Sequence, residues 1–307
     1  MSEFVPKADG IANNKVDKTA GPWREAWNGF KKSKVAVVGM GIVIFFILLA
    51  GFGFVAEQGY LGSNIGLEGI NDQKLSDRLL PPSSEYWFGT DDLGRDIFSR
   101  IVHGARISLW VGFFSVIGSV VVGSALGIVA GYYGRWVDTI ISRVFDIMLA
   151  FPSILLAIAI VSVLGPSLQN ALIAIAVINV PNFGRLIRSK VLSIKEDEYI
   201  TAAKGIGMKD ARILFSHILP NSMAPVIVQG TLAIATAILE AAALGFLGLG
   251  AQAPMPEWGK MLADSKSFLH SAPWTMIFPG IAIMLTVLGF NLMGDGLRDA
   301  LDPKMKS

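Results

Sequence analysis

Six long apolar blocks divide the chain, at residues 35–55, 107–131, 140–164, 168–184, 222–247 and 274–293. The runs are continuous, without the two-residue alternation of a membrane strand, and most are close to the roughly 20 residues that a helix needs to cross a ~30 Å hydrocarbon layer. A backbone in lipid has to satisfy its own hydrogen bonds, so such runs predict helices. The expected fold class is an all-α integral membrane protein with about six transmembrane helices. The block at 140–164 carries Arg143 and Asp146 near its start, that at 168–184 is short and contains Pro181, and that at 222–247 contains Glu240. The first block, at 21 residues and with no small-residue cleavage site behind it, reads as an uncleaved signal anchor.

The polar stretches between the blocks set the organisation. Residues 1–34 form an N-terminal tail, 35–56 a first transmembrane helix, and 57–104 an external segment. Residues 105–296 form the membrane core, with a polar loop at 191–220, and 297–307 form a C-terminal tail. With the N-terminus placed inside, 19 Lys and Arg residues fall on the cytoplasmic side and 7 on the external side. The positive-inside rule then puts both termini in the cytoplasm.

Composition narrows the field. Hydrophobic residues make up 52% of the chain and charged residues only 16%, against about 25% in soluble domains. The net charge of +2 gives no reason to expect nucleic acid. Cysteine is absent, which excludes disulfides, thiolate metal sites and cysteine nucleophiles. The three histidines, His103, His217 and His270, have no metal-ligand spacing. Asp91, Asp92 and Asp96 stand with Arg95 and Arg100 in the external segment, too sparse a pattern for a calcium loop. No G-x-x-x-x-G-K-[ST] phosphate loop occurs, so the chain is not expected to bind ATP itself.

Small residues recur every four positions at Ser119, Gly123, Gly127 and Gly131, and again at Ala233, Ala237, Ala241 and Gly245. Each series makes a ridge on one helix face, over which a neighbouring helix can approach closely.

The 191–220 loop is patterned. Tyr199, Ala202, Ala203 and Ile206 follow helical spacing, as do Ala211, Leu214, Phe215 and Ile218 beyond a break at Gly205 and Gly207. Two short amphipathic helices joined by a glycine turn are expected, with Pro220 disrupting helical bonding before the fifth span. The acids Glu196, Asp197, Glu198 and Asp210 argue against an anionic lipid surface. Periodicity leaves two readings open: docking into a partner's groove, or packing on the chain's own spans.

The stretch from Glu198 to Pro220 resembles the cytoplasmic signature loop of ABC importer permeases. Ala202, Ala203, Gly207, Leu219 and Pro220 match its Glu-Ala-Ala, three residues, Gly, then Leu-Pro pattern, with Thr201 in place of Glu and His217 in place of Ile. Residues 86–109, 244–264 and 289–304 are similar to the C-type dipeptide and oligopeptide permeases, in the right order. The resemblance implies the type I ABC importer fold and a heterodimer with a B-type permease subunit. It also implies two ATP-binding subunits on the cytoplasmic side, holding ATP and magnesium, and an extracytoplasmic solute-binding protein. The setting would be the bacterial cytoplasmic membrane, with lipid around the spans, and the cargo peptides, dipeptides first. It makes Glu198, Tyr199, Ala202, Ala203, Gly207, Leu214, Phe215, Leu219 and Pro220 the ATPase-coupling loop. Asp91, Asp92, Arg95 and Asp96 would lie near the solute entrance.

Within the spans, an ionised side chain costs a few kcal/mol unless it faces a cavity or a partner. Glu240 is therefore expected on a solute path or in a structural pair with a donor on another helix. Asn179, Asn182 and Asn291 are either path-lining or interhelical hydrogen-bonding groups. Asp138, Arg143 and Asp146 read as a structural charge cluster. An ion-coupled secondary transporter is the alternative, but it calls for coupling-ion residues and usually an inverted repeat, and none is seen. Because the chain has no native cysteine, single cysteines at Gly69 and Lys304 give a clean test: they should label with impermeant reagents from opposite sides of the membrane. Labelling from one side only would refute this topology.

Overall fold

The computed structural model describes residues 22–57 and 70–301. The expected tails at 1–21 and 302–307, and residues 58–69 of the external segment, lie outside the described residues. The described chain is helical apart from residues 70–96, which hold a three-residue 3-10 turn and one isolated bridge, Thr90 to Asp96, the 247–257 turn, and shorter connections. Its helices are α1 (Pro22–Lys32), α2 (Lys34–Glu57), α3 (Ile97–Tyr133), α4 (Arg135–Ala150), α5 (Ser153–Leu164) and α6 (Leu168–Lys195). They continue with α7 (Glu198–Gly205), α8 (Asp210–Ile213), α9 (Leu219–Phe246), α10 (Trp258–Ser265) and α11 (Trp274–Leu301). Five elements are long and apolar enough to cross a membrane singly, and α4 with α5 makes a sixth if the bent pair counts as one span.

That pair corrects the sequence reading at 140–164. Instead of one helix there are two, meeting at 96°. Pro152 has no N–H to donate and forces the residue before it out of the helical region, and Phe151 accordingly adopts φ −93°, ψ 142°. The second span is also longer than the apolar block that announced it. It begins at Ile97, so residues 97–104 are helical and continue α3 toward its N-terminus. Asp96 caps it by accepting from the Ser99 N–H at 2.9 Å. Arg100 does not end the helix, because its guanidinium is buried on the Pro254 carbonyl and near Asp91. At 168–184, Pro181 does not interrupt the helix, and α6 runs on to Lys195 with Pro181 buried.

The most extensive helix–helix contact among the described residues is between α3 and α6, and the first small-residue ridge lies in it. The Ser119 hydroxyl donates to the Ala176 carbonyl at 2.9 Å. A methyl group at Gly123 would come within 2.6 Å of the Val180 carbonyl oxygen, and one at Gly131 within 2.9 Å of the Val191 side chain. Gly127 lies directly against the Gly184 backbone. The second ridge, Ala233, Ala237, Ala241 and Gly245, is also buried, and its alanines join Ala171, Ala174, Ile175 and Ile178 of α6 in the main core. Gly184 is in turn occupied from its other side by the Phe145 ring, which fastens α4 to α6.

Gly127→Ala is expected to lower stability by about 1–3 kcal/mol through overpacking. Gly41→Ala, where nothing lies within 4 Å of the added carbon, should change it by less than about 0.5 kcal/mol. Thermal unfolding of the two variants in detergent makes the comparison. Equal melting temperatures would mean that the α3–α6 seam is not close-packed.

Candidate functional site

The 196–218 segment forms a helical hairpin at one end of the bundle. α7 ends at Gly205, the chain reverses through Gly207 at φ +79°, and α8 begins at Asp210. A positive φ of this size strains any side chain with a Cβ. The predicted apolar stripes pack inward only in part, through Ala203 and Ile218. Ile200 and Ala203 are buried from α7, and Ile213 and Ile218 from the second arm. Tyr199, Ala202, Ile206 and Phe215 are exposed, Ile206 at 81% and Phe215 at 71%. One face of the loop thus packs on the chain's own spans, and a second apolar face is left open. Glu198 and Ala211 are exposed as well, and Leu214 and Leu219 are half-buried.

The second arm is a single α-helical turn. It continues as a π-helix over Leu214–Ile218 and then runs directly into α9. Pro220 lies in the first turn of α9 and is exposed. The proline is therefore accommodated by widening the preceding turn, which is the form the expected disruption of helical bonding takes.

Within the spans, Glu240 on α9 is half-buried and accepts from Asn179 Nδ2 of α6 at 3.0 Å. Ser153, the first residue of α5, is hydrogen-bonded to the same carboxylate. Asn179 also donates to the Ile175 carbonyl at 3.0 Å, and the exposed Asn182 lies 3.5 Å from the Asn179 oxygen. Three helices thus converge on one carboxylate, at the point where α4 and α5 part. Phe151, Pro152 and Ser153 are all exposed there, and so are Gln229 and Thr236, on the same face of α9 as Glu240. Asn291 does not join them. It is exposed on α11, beside an apolar groove with Leu239, Met284 and Leu288. The charge cluster at the start of the bent span is structural: Asp138 pairs with Arg188, and Asp146 with Arg185 at 2.5 Å, both across to α6.

At the opposite end from the hairpin, Asp91 organises a compact charged knot. One of its oxygens accepts the N–H groups of Leu93 and Arg95 at 2.9 Å, and the other pairs with Arg95 Nε at 2.7 Å. Asp92 borders a 180 Å³ cavity with Arg95, Arg100, Lys260 and Asp264, and burial together with the neighbouring Asp91 pushes its pKa above the usual carboxylate value. Tyr86 donates to Asp77 at 2.8 Å, which holds the Asp77 carboxyl low and pushes the Tyr86 phenol up to about 12. Glu257, which the sequence reading did not single out, caps α10 from full burial. Burial raises its pKa, while the N–H groups of Gly259 and Lys260 and the Ser108 hydroxyl oppose the rise. Beside this knot lies a 590 Å³ cavity lined by His103, Arg106 and Trp110 of α3, Gln169 of α6 and Gln252 of the 248–256 turn.

The comparisons with known proteins agree with this architecture. Residues 123–307 match the family described as binding-protein-dependent transport system inner membrane component, and residues 21–82 match the N-terminal transmembrane domain of oligopeptide transport permease C. The chain is 67% identical over 287 residues to a dipeptide transport system permease protein DppC of Alkalihalophilus pseudofirmus, covering 93% of this chain and 91% of that one. It is 48% identical to a glutathione transport system permease protein GsiD of Pectobacterium atrosepticum, covering 93% of this chain and 92% of that one. Among solved structures, a chain of the inward-facing MetNI methionine ABC transporter superposes with TM-score 0.53 at 19% identity, over 66% of this chain and 97% of that one. That likeness establishes the type I importer fold. A multi-pass bundle of five or six apolar helices, matched by family and by relatives over most of its length, identifies the chain: it belongs to the binding-protein-dependent inner-membrane transport components, as a C-type permease of the dipeptide and oligopeptide ABC importers.

Proposed function

We propose that this chain forms one half of the membrane path of an ATP-driven peptide importer, working by alternating access in the bacterial cytoplasmic membrane with both termini inside. A B-type permease subunit supplies the other half. Two ATPase subunits bind on the cytoplasmic side and hold ATP and magnesium, and a solute-binding protein delivers cargo from outside. Dipeptides are the favoured cargo, because the 67% identical relative is named a dipeptide permease. Glutathione, itself a small peptide, is carried by systems named for relatives at 48% identity.

The observation that carries the path is the exposed break at Phe151–Ser153. Non-helical backbone at membrane depth is tolerated only where protein covers it or water fills a cavity. α5 has 12 residues and reaches about 18 Å at 1.5 Å per residue, well short of the ~30 Å hydrocarbon layer. The open side of this break carries Glu240, Asn182, Thr236 and Gln229, which lipid would reject. This face therefore looks toward the B-type partner and the water between the two chains. A carboxylate held there by Asn179 and Ser153 suits the ammonium group of a peptide. The 590 Å³ cavity at the other end of α5 lies on the external side, beside the Asp91–Arg95 knot, and receives solute from the binding protein.

The hairpin at 196–218 supports ATPase coupling through its open apolar face. Tyr199, Ala202, Ile206 and Phe215 enter a groove on the ATPase subunit, and the Gly207 turn keeps the two arms close. Closure of the ATPase pair draws this hairpin and its counterpart together and opens the path outward. Hydrolysis reverses the motion.

Two substitutions test these assignments in the complete complex reconstituted in proteoliposomes. Glu240→Gln should lower peptide uptake about tenfold while assembly and basal ATP hydrolysis persist, the pattern of a lost solute contact. Normal uptake would remove Glu240 from the path, and a lower yield of assembled complex would make it structural. Gly207→Glu should abolish uptake and weaken ATPase co-purification, while the spans still insert. A Gly207→Glu complex that transports normally with its ATPase bound would show that the hairpin is not the coupling element.

A further inference from the structure

The hairpin is continuous with two spans: Glu196 and Asp197 join it to the end of α6, and its second arm runs into α9 through the π-helical turn Leu214–Ile218 and the exposed Pro220. A widened turn next to a missing N–H is a compliant joint. Ile200, Ala203, Ile213 and Ile218 pack into the main core. The directional contact with α3 runs through Tyr132, near the end of that helix.

Tyr132 is 6% exposed. Its hydroxyl donates to Asp210 Oδ1 at 2.5 Å, and the Lys204 ammonium lies 5.2 Å from the centre of its ring. Lys204 belongs to the last turn of α7, and Asp210 opens α8. The two contacts therefore come from opposite sides of the Gly207 turn, and one ring is gripped by both arms. An apolar contact can slide, but a hydrogen bond to an ionised acceptor is strongly directional, and a cation over the ring face opposes displacement along the normal. The grip fixes the ring against the hairpin in more than one direction.

What lies beyond Tyr132 is rigid. α3 has 37 residues, about 55 Å of helix, and no proline. Gly123, Gly127 and Gly131 seat it on the backbone of α6, so the two helices move as one body. Its other end is fastened to the 253–258 region: Arg100 donates to the Pro254 carbonyl at 3.4 Å, and Trp258 Nε1 donates to the Ile101 carbonyl at 3.1 Å. Just beyond those contacts along α3 lie His103 and Arg106, and one turn further Trp110, on the wall of the 590 Å³ cavity.

We propose that Tyr132 is the positioning residue through which the hairpin drives α3, so that a push on the Gly207 turn reaches the mouth of the external cavity as one rigid displacement. This rests on the hairpin being the ATPase contact. α9 follows through its compliant joint, while α3 and α6 carry the stroke. Tyr132 touches neither solute nor nucleotide, and its effect is on the ratio of transport to hydrolysis.

The test uses Tyr132→Phe, Asp210→Asn and the double variant, each in the complete reconstituted complex. Three quantities are measured: ATPase subunits retained, ATP hydrolysed, and peptide taken up per ATP. The expected result is full retention of the ATPase subunits, hydrolysis within about twofold of the parent, and uptake per ATP lower on the order of tenfold. The double variant should be no worse than the worse single one, because both remove the same bond. Unchanged uptake per ATP in Tyr132→Phe would overturn the proposal. So would loss of ATPase subunits in proportion to loss of uptake, since the bond would then only shape the docking face. Gly207→Glu tests the hairpin itself: if that variant keeps both its ATPase and normal uptake, the coupling assignment fails, whatever Tyr132→Phe does.

Discussion

The close approach of α3 to α6 is the constraint on which the rest of the molecule depends. Helices in lipid gain little from the hydrophobic effect when they associate, so packing and hydrogen bonds have to hold them together. Here Gly123, Gly127 and Gly131 remove the side chains from one face of α3 and let backbone meet backbone. With that seam fixed, Asn179 on α6 has a set position relative to Glu240 on α9, and Phe145 can dock α4 at Gly184. The seam also decides which parts of the chain move together. α3 and α6 form the rigid unit, and the elements hung from it through turns and single side chains are those with freedom to shift.

Two ends of the bundle differ in how they use charge. At the hairpin end, charges pair sparsely between elements, as Asp138 does with Arg188 and Asp210 with Tyr132. Such contacts can be made and broken one at a time. At the other end, Asp91, Arg95 and Arg100 are buried in one knot, tied to the 253–258 region through carbonyl oxygens. Breaking a buried knot by removing one partner is costly, because it leaves another charge unpaired. In the proposed mechanism this suits one end to being pushed and the other to holding its shape while solute arrives.

Much of this was legible in the sequence, and the rest was hidden for physical reasons. The six apolar blocks and the two small-residue ridges can be read because they depend on local periodicity, and each ridge does lie in a buried seam. The break inside 140–164 was signalled by Pro152, but hydropathy averages over a single proline and sees one block. The start of α3 was misplaced because Arg100 and Arg106 look like water-facing residues, and only the fold shows Arg100 buried against Pro254. In the hairpin, the periodicity marked a real apolar face, yet it could not say which face turned inward. Ile200 and Ile213, the buried pair, belong to no stripe that spacing alone would favour. Tyr132 and Asp210 are 78 residues apart, and Glu257 is polar in an unremarkable turn. No local rule brings such residues together, because their roles exist only in the tertiary structure.

On the path proposed above, the shortness of α5 sets the thickness of the permeability barrier, with water reaching the Ser153 end of this helix from one side and the neighbourhood of Ser167 and Gln169, where the large cavity lies, from the other. The dry distance separating the two aqueous compartments is then about 18 Å, not the full width of the bilayer. A thin seal needs only a small displacement to open on one face while the other stays shut. It also leaves few layers of side chains to prevent ions from leaking through, so the fit between this chain and its partner along α5 decides how tightly the membrane is kept closed at rest.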